Sequence, residues 1–377
     1  MDNGSILGFG PDLAPDHPGY GDAPYARRRA QIAAAARRHV AGTPPPGCAY
    51  TASETAVWGE VLTRLGRLSP GAACREYGDA LPALAFRPGA IPQLAAVGAA
   101  LADAGSGWAV RPVAGLLHPR DFLAGLAFRT FHATQYVRHA SRPDYTPEPD
   151  VCHELIGHIP MLLDPHYAAM AHAIGVASLG ASDKAVWALT RVYWHTVEFG
   201  VVMEEGAGQG GGGGRPAAVG GWGAQAPPSS PRPSPLPPRP TPKAFGAGIL
   251  SSPGELAHFA SGAASLSPLD PWAPLPRMDY KGGYQRHYFT LPSFAAGADM
   301  LAAYAAETTP QATRARFGLV GLGAGRLVPG RASPTAAVSS SVVPFSPPPG
   351  GVVGGAALVD DGEEARPASP PQAAGKP

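Results

Sequence analysis

Apolar residues recur at helical spacing through much of the first hundred residues. This pattern predicts four helices, over residues 25–41, 53–68, 71–81 and 91–103. Pro82 is expected to end the third helix, because proline lacks the N–H that continues a helix. Ser53 is expected to cap the second helix alone, since the residue three positions later, Ala56, cannot complete a capping box.

The clearest helical pattern runs over residues 183–205. Ser182 and Asp183 supply side-chain oxygens suited to an N-cap. An apolar stripe at helical spacing follows, formed by Val186, Leu189, Tyr193, Val197 and Val201. Glu198 lies among apolar neighbours, where a carboxylate is costly unless a cation or a hydrogen bond compensates it. The pattern therefore predicts a helix whose Glu198 has such a partner.

The next stretches predict short β elements. Residues 112–120 have the character of a loop after a short strand, residues 121–128 form a compact apolar run, and residues 134–139 are predicted to form a short strand. The expected fold class is mainly α with short β elements.

Glycine (49) and proline (45) make up about a quarter of the 377 residues, which is typical of partly disordered chains. They concentrate in residues 206–242, which include five consecutive glycines, and in residues 312–377. We therefore expect an extended segment over 1–24, one catalytic domain over 25–311 with a disordered insert at 206–242, and a disordered tail over 312–377. The sequences flanking the insert join cleanly without it, so a translated intron is an alternative.

Charge, hydropathy and cysteine spacing together narrow the class of protein. The net charge is +1 and there is no long basic run, so no nucleic-acid partner is expected. No stretch of 18 apolar residues occurs, so no membrane span is expected. Three cysteines without metal-ligand spacing favour a reducing compartment, and we predict the cytoplasm. The Arg-rich, acid-free residues 25–39 favour a surface helix, with organelle targeting as the alternative.

The most informative chemical feature is His153-Glu-Leu-Ile-Gly-His158, followed at a distance by Glu198. Two imidazoles and one carboxylate are the ligand set of a mononuclear non-haem iron(II) site with open positions. Five residues separate the histidines, which in an α-helix would place them about 140° apart rather than about 40°. They can bind one ion only if the helix loosens between them, and Gly157 and Pro160 are placed to allow this.

Two alternatives come from other classes. A zinc hydrolase would use Glu154 as its general base, but zinc proteases place their histidines four residues apart. No further close ligand follows, and metal analysis would separate the two readings. The second alternative is an inactive product of a faulty gene model, suggested by the insert and the tail. Transcript sequencing across codons 206–242 would test it.

The histidine pair lies within a series of segments that resembles the catalytic core of the pterin-dependent aromatic amino acid hydroxylases. The segments occur in one order at residues 111–117, 120–129, 134–139, 145–150, 177–181 and 243–252. Weaker similarity extends back to residue 16 and forward to about residue 294. A series of this kind is far more specific than a single motif. It implies one catalytic domain around a central iron cavity.

The resemblance also implies roles for individual residues. The iron ligands would be His153, His158 and Glu198. The catalytic group beside them would contain Glu154 and His132. The pterin would stack on Phe122, with Gly115, Leu117 and Tyr193 around it. The substrate carboxylate would be held by Arg138, Thr146 and Ser251, and the substrate ring would be walled by Trp194, Phe199 and Pro149. Arginine suits the carboxylate because its planar fork donates two hydrogen bonds.

The implied reaction combines an aromatic amino acid, O₂ and a reduced pterin to give a ring-hydroxylated amino acid and a hydroxypterin. Phenylalanine is the expected substrate, because His132 stands where tyrosine hydroxylases of this family tend to carry glutamine, and Trp194 favours phenylalanine over tryptophan enzymes. Tryptophan or tyrosine hydroxylation remains the alternative within the family. The expected cofactors are Fe²⁺ and tetrahydrobiopterin, or a reduced folate. The expected partners are small molecules, and the oligomeric state stays open.

Overall fold

The computed structural model describes residues 6–8, 13–144, 146, 148–205, 239–277, 283–310 and 313. Within them the chain is mainly helical with short strands, so the predicted fold class is confirmed. The α-helices are α1 (Ala23–Arg37), α2 (Ala52–Ala72), α3 (Arg75–Leu84), α4 (Leu94–Asp103), α5 (Pro119–Ala127), α6 (Pro165–Ser178), α7 (Asp183–Tyr193), α8 (Ala247–Leu250), α9 (Pro253–Ala260) and α10 (Phe294–Thr308). Two π-helices, His153–His158 and Trp194–Glu198, and a 3₁₀-helix, Met161–Leu163, complete the helical part.

The strands form three small sheets. The strands are β1 (Ile6–Gly8), β2 (Ala109–Pro112), β3 (Leu116–Leu117), β4 (Thr130–Ala133), β5 (Val201–Glu204), β6 (Thr241–Ala244), β7 (Ser265–Pro268) and β8 (His287–Leu291). β1 pairs antiparallel with β3, and β2 pairs parallel with β4. The third sheet has the order β6-β5-β8-β7, with only the β5–β6 pair antiparallel.

Helix α6 is the centre of the core. It packs against α5 on one side and α10 on the other, and most of its side chains are buried. Gly175 allows the close approach of α5, because a Cβ there would lie 2.3 Å from the backbone nitrogen of Ala127. Burial of this kind is the main favourable term in folding. The two π-helices lie against this core.

The beginnings of two helices differ from the prediction. Helix α2 starts after Thr51, whose hydroxyl accepts from the backbone N–H of Glu54 while the Glu54 carboxylate accepts from the N–H of Thr51. The capping box therefore exists, but two residues earlier than Ser53. The third helix starts at Arg75, because Ala73 pairs with Ala244 and keeps the chain extended there.

Three other boundaries also differ. Pro82 lies inside α3, which ends two residues later. The segment predicted to extend to residue 24 contains β1 and turns, and α1 already begins at Ala23. Residues 134–139 do not form a strand; the strand β4 lies just before them. The backbone N–H of Arg138 instead donates to the Asp150 carboxylate.

Residues 183–205 form three consecutive elements rather than the single helix predicted for them. Ser182 caps α7 as expected, and the π-helix and then β5 follow. The π-helix ends at Glu198, and at Gly200, two residues later, a Cβ would lie 2.1 Å from the ring of Phe245 and 2.3 Å from the carbonyl oxygen of Thr196. Beyond it, the β-branched Val201 and Val202 suit a strand better than a helix.

The predicted insert lies for the most part outside the described residues. Its last four residues, 239–242, are described, and Thr241 and Pro242 among them begin β6 and pair with Glu204 and Met203. The insert is therefore shorter than predicted, and residues 205–240 connect two neighbouring antiparallel strands. The predicted tail over 312–377 has one described residue, Thr313.

Deleting residues 206–238 should leave folding and metal binding intact. The deletion leaves Glu205, Arg239 and Pro240 as a three-residue hairpin loop, a length that antiparallel strands commonly use. A shorter loop should stabilise the fold by up to about 2 kcal/mol, since each halving of loop length contributes about 0.6 kcal/mol. Thermal unfolding followed by circular dichroism, together with iron content, measures both effects.

A longer deletion, of residues 203–242, is the matched control. It removes two paired positions on each strand and should lower the unfolding midpoint. If the shorter deletion folds normally but binds less iron or substrate, the removed segment contributes to the active site and the prediction is wrong.

Candidate active site

Both segments that carry the predicted metal ligands are π-helices. In the first, the backbone N–H of Ile159 donates to the carbonyl oxygen of Glu154, five residues earlier, over 3.3 Å. In the second, the N–H of Phe199 donates to the carbonyl oxygen of Trp194 over 2.9 Å. A π-turn holds more residues than an α-turn, so side chains five apart can lie on one face. The predicted loosening between His153 and His158 has this form.

The three ligand atoms converge. Nε2 of His153 and Nε2 of His158 are 2.9 Å apart, and each lies 3.3 Å from a carboxylate oxygen of Glu198. Metal bonds of about 2.0–2.2 Å at right angles would separate neighbouring ligand atoms by about 3 Å. The spacing therefore fits three ligands on one face of a single ion, with the other positions open. Among the described residues, these three side chains form the group of at least three histidine, cysteine or acidic residues that could hold a metal ion.

Gly157 contributes to this geometry by its small size. A Cβ on Gly157 would lie 2.7 Å from the carbonyl oxygen of Ala247, so glycine lets α8 pack directly on the first π-helix. Helix α8 ends beside His153, where Oγ of Ser251 lies 3.0 Å from Nδ1 of the imidazole. When Nε2 of His153 binds a metal, Nδ1 carries the proton and donates it to Ser251, which fixes the orientation of the ring.

The ligand charges are strongly coupled. Burial alone would raise the pKa of Glu198, but the charges of His158 and His153 and their hydrogen bonds outweigh it, so the pKa lies well below its usual value. Burial would lower the pKa of His153, but the Glu198 carboxylate keeps it raised. Burial prevails at His158, and its pKa is lowered. An ionised carboxylate beside a neutral imidazole is the form that binds a metal.

Glu154 lies immediately beside this group. Its carboxylate oxygen Oε1 accepts from the backbone N–H of Thr134 over 2.9 Å and lies 3.1 Å from the Thr134 hydroxyl. Burial raises the pKa of Glu154 to about 7, although the charge of His153 and the bonds from Thr134 act in the opposite direction. The carboxylate is therefore suited to exchange a proton near neutral pH.

Arg138 is already paired. Its Nε and Nη2 donate to the two oxygens of Asp150 over 3.0 and 2.8 Å, and its Nη1 donates to the carbonyl oxygens of Pro143 and Ser251. The guanidinium is buried, and its two-pronged face is occupied by Asp150 rather than open to a ligand. The Nε and Nη2 edge of Arg138 is thus taken by Asp150, and binding of the substrate carboxylate by Arg138 stays a prediction. One N–H of Nη2 and the positive charge remain available.

The residues predicted to hold the pterin include a group of aromatic rings beside His158. Phe122 meets the ring of Tyr193 at 5.2 Å and that of Phe131 at 6.1 Å, both edge to face. Tyr193 in turn lies parallel to His158, with ring centres 6.4 Å apart. Gly115 is buried in the connection between β2 and β3, and Leu117 is buried at the end of β3, just before α5.

His132 lies on β4 with its ring against Gly125, where a Cβ would lie 2.4 Å from the imidazole. Burial, and then the charge of Arg111, lower its pKa to about 4, so the ring is neutral at pH 7. Its buried Nδ1 has no hydrogen-bond partner among the described residues. A buried polar atom without a partner fits a site that a polar cofactor ring would complete.

Two of the three residues predicted to wall the substrate ring are neighbours. The rings of Trp194 and Phe199 are 4.6 Å apart, and Gly248 permits this placement because a Cβ there would lie 2.5 Å from the Phe199 ring. Pro149 and Thr146 are half-buried in the segment before the first π-helix. The Pro149 carbonyl oxygen accepts from the Thr134 hydroxyl over 3.1 Å.

Three residues near the site were not predicted from the sequence. Phe131 packs on His158 with ring centres 4.7 Å apart. Asp150 holds Arg138, and Thr134 holds Glu154. Two of these residues could have been found from their place in the sequence, because Thr134 and Asp150 lie within segments that resemble the hydroxylases.

Comparison with known proteins gives the same assignment. A model of the biopterin-dependent aromatic amino acid hydroxylase family matches residues 2–221 and 239–318. The interval between the matched ranges falls inside the predicted insert. The chain is 54% identical over 307 residues to the chloroplastic phenylalanine 4-monooxygenase of Chlamydomonas reinhardtii, covering 81% of this chain and 75% of the relative. It is 49% identical over 300 residues to that of Pinus taeda, covering 80% and 75%.

The fold has solved counterparts. Phenylalanine hydroxylase of Chromobacterium violaceum, in a structure with bound iron(III) and 7,8-dihydrobiopterin, has a TM-score of 0.56 and 26% identity, covering 79% of this chain and 95% of the other. Among the described residues, no helix has the length and apolar character needed to cross a bilayer. The family match, the relatives and the convergent ligand set agree: the chain belongs to the biopterin-dependent aromatic amino acid hydroxylases.

Proposed function

We propose that this chain is a monooxygenase that uses iron(II), O₂ and a tetrahydropterin to convert phenylalanine to tyrosine. The observation that carries the proposal is the convergence of two imidazoles and one carboxylate on π-helical turns. The relatives named phenylalanine 4-monooxygenase support it, because their identity to this chain extends over about four fifths of its length.

We assign the iron to His153, His158 and Glu198. The bound iron and the reduced pterin together would supply the activation of O₂ that ring hydroxylation needs. The protein would orient both reactants and keep water away. The aromatic group of Phe122, Tyr193 and Phe131 supports these tasks, because Phe131 and Tyr193 lie beside His158 and Phe122 packs against both of them.

We assign the pterin ring to Phe122 and its surroundings, which are Gly115, Leu117, Tyr193 and His132. The free Nδ1 of neutral His132 supports this, since it can exchange a hydrogen bond with a polar heterocycle. Glu154 would lie next to the pterin and hold or move a proton at its carboxylate. These side chains would contact the ring and not its substituent, so tetrahydrobiopterin and a reduced folate are both candidate donors.

We assign the substrate ring to Trp194, Phe199 and Pro149, and its carboxylate to the region of Arg138, Thr146 and Ser251. The positive charge of Arg138 would attract the carboxylate, and the remaining N–H of Nη2 would donate to it. This is a one-pronged contact, because Asp150 occupies the fork. His132 and Trp194 favour phenylalanine over tyrosine and tryptophan.

We also propose that the protein works in a plastid, although the cysteine pattern alone favours the cytoplasm. The relatives from Chlamydomonas reinhardtii and Pinus taeda are both named chloroplastic. Fluorescence imaging of the full-length gene product, tagged at its C-terminus, separates the two compartments. A diffuse cytoplasmic signal would contradict the proposal.

Replacing the ligands should remove iron and activity together. His153→Ala, His158→Ala and Glu198→Gln should each lower iron content and reduce turnover at least about 100-fold, because even changes to residues that only support a ligand cost about 10–100-fold. Atomic absorption and tyrosine formation are the measurements, with circular dichroism to check folding. His166→Ala is the matched control, since His166 is exposed at the start of α6. Near-normal iron in any ligand variant would remove that residue from the site.

Arg138→Lys tests how the substrate carboxylate is held. We expect KM for phenylalanine to rise about tenfold or more, because lysine offers a point charge without the fixed geometry of a guanidinium. Pterin oxidation should also exceed tyrosine formation. Inhibition by phenethylamine, which lacks the carboxylate, should change much less than phenylalanine binding.

Arg28→Lys is the control, because Arg28 also donates from Nε and Nη2 to the two oxygens of one carboxylate, that of Glu54, and to a backbone carbonyl, but from α1, which carries no assigned site residue. If Arg138→Lys weakens phenylalanine and phenethylamine equally, Arg138 acts only by holding Asp150, and the carboxylate is bound elsewhere.

A further inference from the structure

Thr134 connects two parts of the active site that have different assigned tasks. Its backbone N–H donates to Oε1 of Glu154 over 2.9 Å. Its hydroxyl lies 3.1 Å from the same Glu154 oxygen and 3.1 Å from the carbonyl oxygen of Pro149. Thr134 is 1% exposed, so water cannot easily replace these bonds.

The hydroxyl has one hydrogen and two acceptors within reach. It can donate to the Glu154 carboxylate or to the Pro149 carbonyl, but not fully to both. Glu154 keeps the bond from the Thr134 N–H in either case. When the Thr134 hydroxyl donates to the Pro149 carbonyl, Glu154 accepts one hydrogen bond from Thr134; when it donates to Glu154, Glu154 accepts two. The position of Pro149 is therefore linked to the number of hydrogen bonds that Glu154 accepts.

The residues on either side of Pro149 are firmly held. Glu148 accepts from Arg29 over 2.7 Å and lies 2.7 Å from Nε2 of His17, and all three side chains are buried. Asp150 accepts from Arg138. Buried ion pairs of this kind are strongly destabilised when one partner is removed. Between these two anchors, the Pro149 carbonyl is held by the Thr134 hydroxyl.

We propose that Thr134 is a positioning residue that ties Glu154 to the wall of the substrate-ring site, so that pterin oxidation is coupled to hydroxylation of the amino acid. The proposal rests on the proposed function, which assigns Pro149 to the ring wall and Glu154 to the side of the pterin. A ring seated against Pro149 sets the position of its carbonyl and, through Thr134, the orientation of the Glu154 carboxylate. When no substrate ring is bound, the orientation of the Glu154 carboxylate is not fixed in this way.

Thr134→Val and Thr134→Ser test this directly in the iron-loaded, full-length enzyme. Valine keeps the volume but removes the hydroxyl, whereas serine keeps the hydroxyl. Thr309→Val is the matched control, because the Thr309 hydroxyl also donates to a backbone carbonyl in a buried position, at the end of α10, which carries no predicted site residue. The measurements are tyrosine formed per pterin oxidised, KM and kcat for phenylalanine, and hydrogen exchange of the backbone over residues 148–154.

We expect Thr134→Val to oxidise several pterins per tyrosine and to raise KM about fivefold, the equivalent of one buried hydrogen bond. Exchange over residues 148–154 should quicken by a similar factor. Thr134→Ser should stay within about twofold of the unaltered enzyme in all three. Thr309→Val should lower the unfolding midpoint without uncoupling. Unchanged coupling and KM in Thr134→Val, or equal uncoupling in Thr309→Val, would overturn the proposal.

Failure of the proposed function is recognised separately. In that case the unaltered enzyme forms no tyrosine with either tetrahydrobiopterin or a reduced folate. Hydrogen exchange then still decides the role of Thr134. Faster exchange in Thr134→Val but not in Thr134→Ser supports the tie between Thr134 and Pro149, and equal exchange in all variants contradicts it.

Discussion

Three ligand atoms are held about 3 Å apart inside an apolar core, and the rest of the structure accommodates this constraint. Two imidazole nitrogens and a carboxylate are costly to bury together unless charge and hydrogen bonds compensate them. An α-helical turn would direct the two histidines away from each other, so the chain adopts a π-turn at each ligand segment. The glycines at 157 and 200 allow neighbouring backbone and rings to close around these wide turns.

Buried hydrogen bonds fix the side chains at and around the predicted ligands. Ser251 orients His153, Thr134 orients Glu154, and Asp150 joins Arg138 to the start of the first π-helix, since it also accepts from the backbone N–H of His153. Each contact comes from a different part of the chain, so the site depends on the whole domain. This explains why a mainly α fold with short strands can hold a precise site: the irregular segments between regular elements are fixed by side chains.

The convergence of His153, His158 and Glu198 and the class of fold could be predicted because their signals are local. If both histidines bind one ion, their five-residue spacing requires a widened helix. The apolar stripe before Glu198 indicates a buried helix. The boundaries could not be predicted in the same way. The helical part after Ser182 ends at Glu198, and Gly200 just beyond it packs against Phe245, which is far along the chain. Residues 134–139 do not form the predicted strand, because the backbone N–H groups of Thr134 and Arg138 donate to the carboxylates of Glu154 and Asp150. The pairing of Arg138 with Asp150 could not be predicted either, because it depends on tertiary structure.

Anomalous diffraction at the iron edge, from crystals of the full-length protein grown with iron(II) under anaerobic conditions, tests the account most directly. The account predicts one iron ion bonded to Nε2 of His153, Nε2 of His158 and the Glu198 carboxylate, with its open positions facing the rings of Phe122 and Trp194. A metal bound without Glu198, or a closed tetrahedral site that prefers zinc to iron, would contradict it.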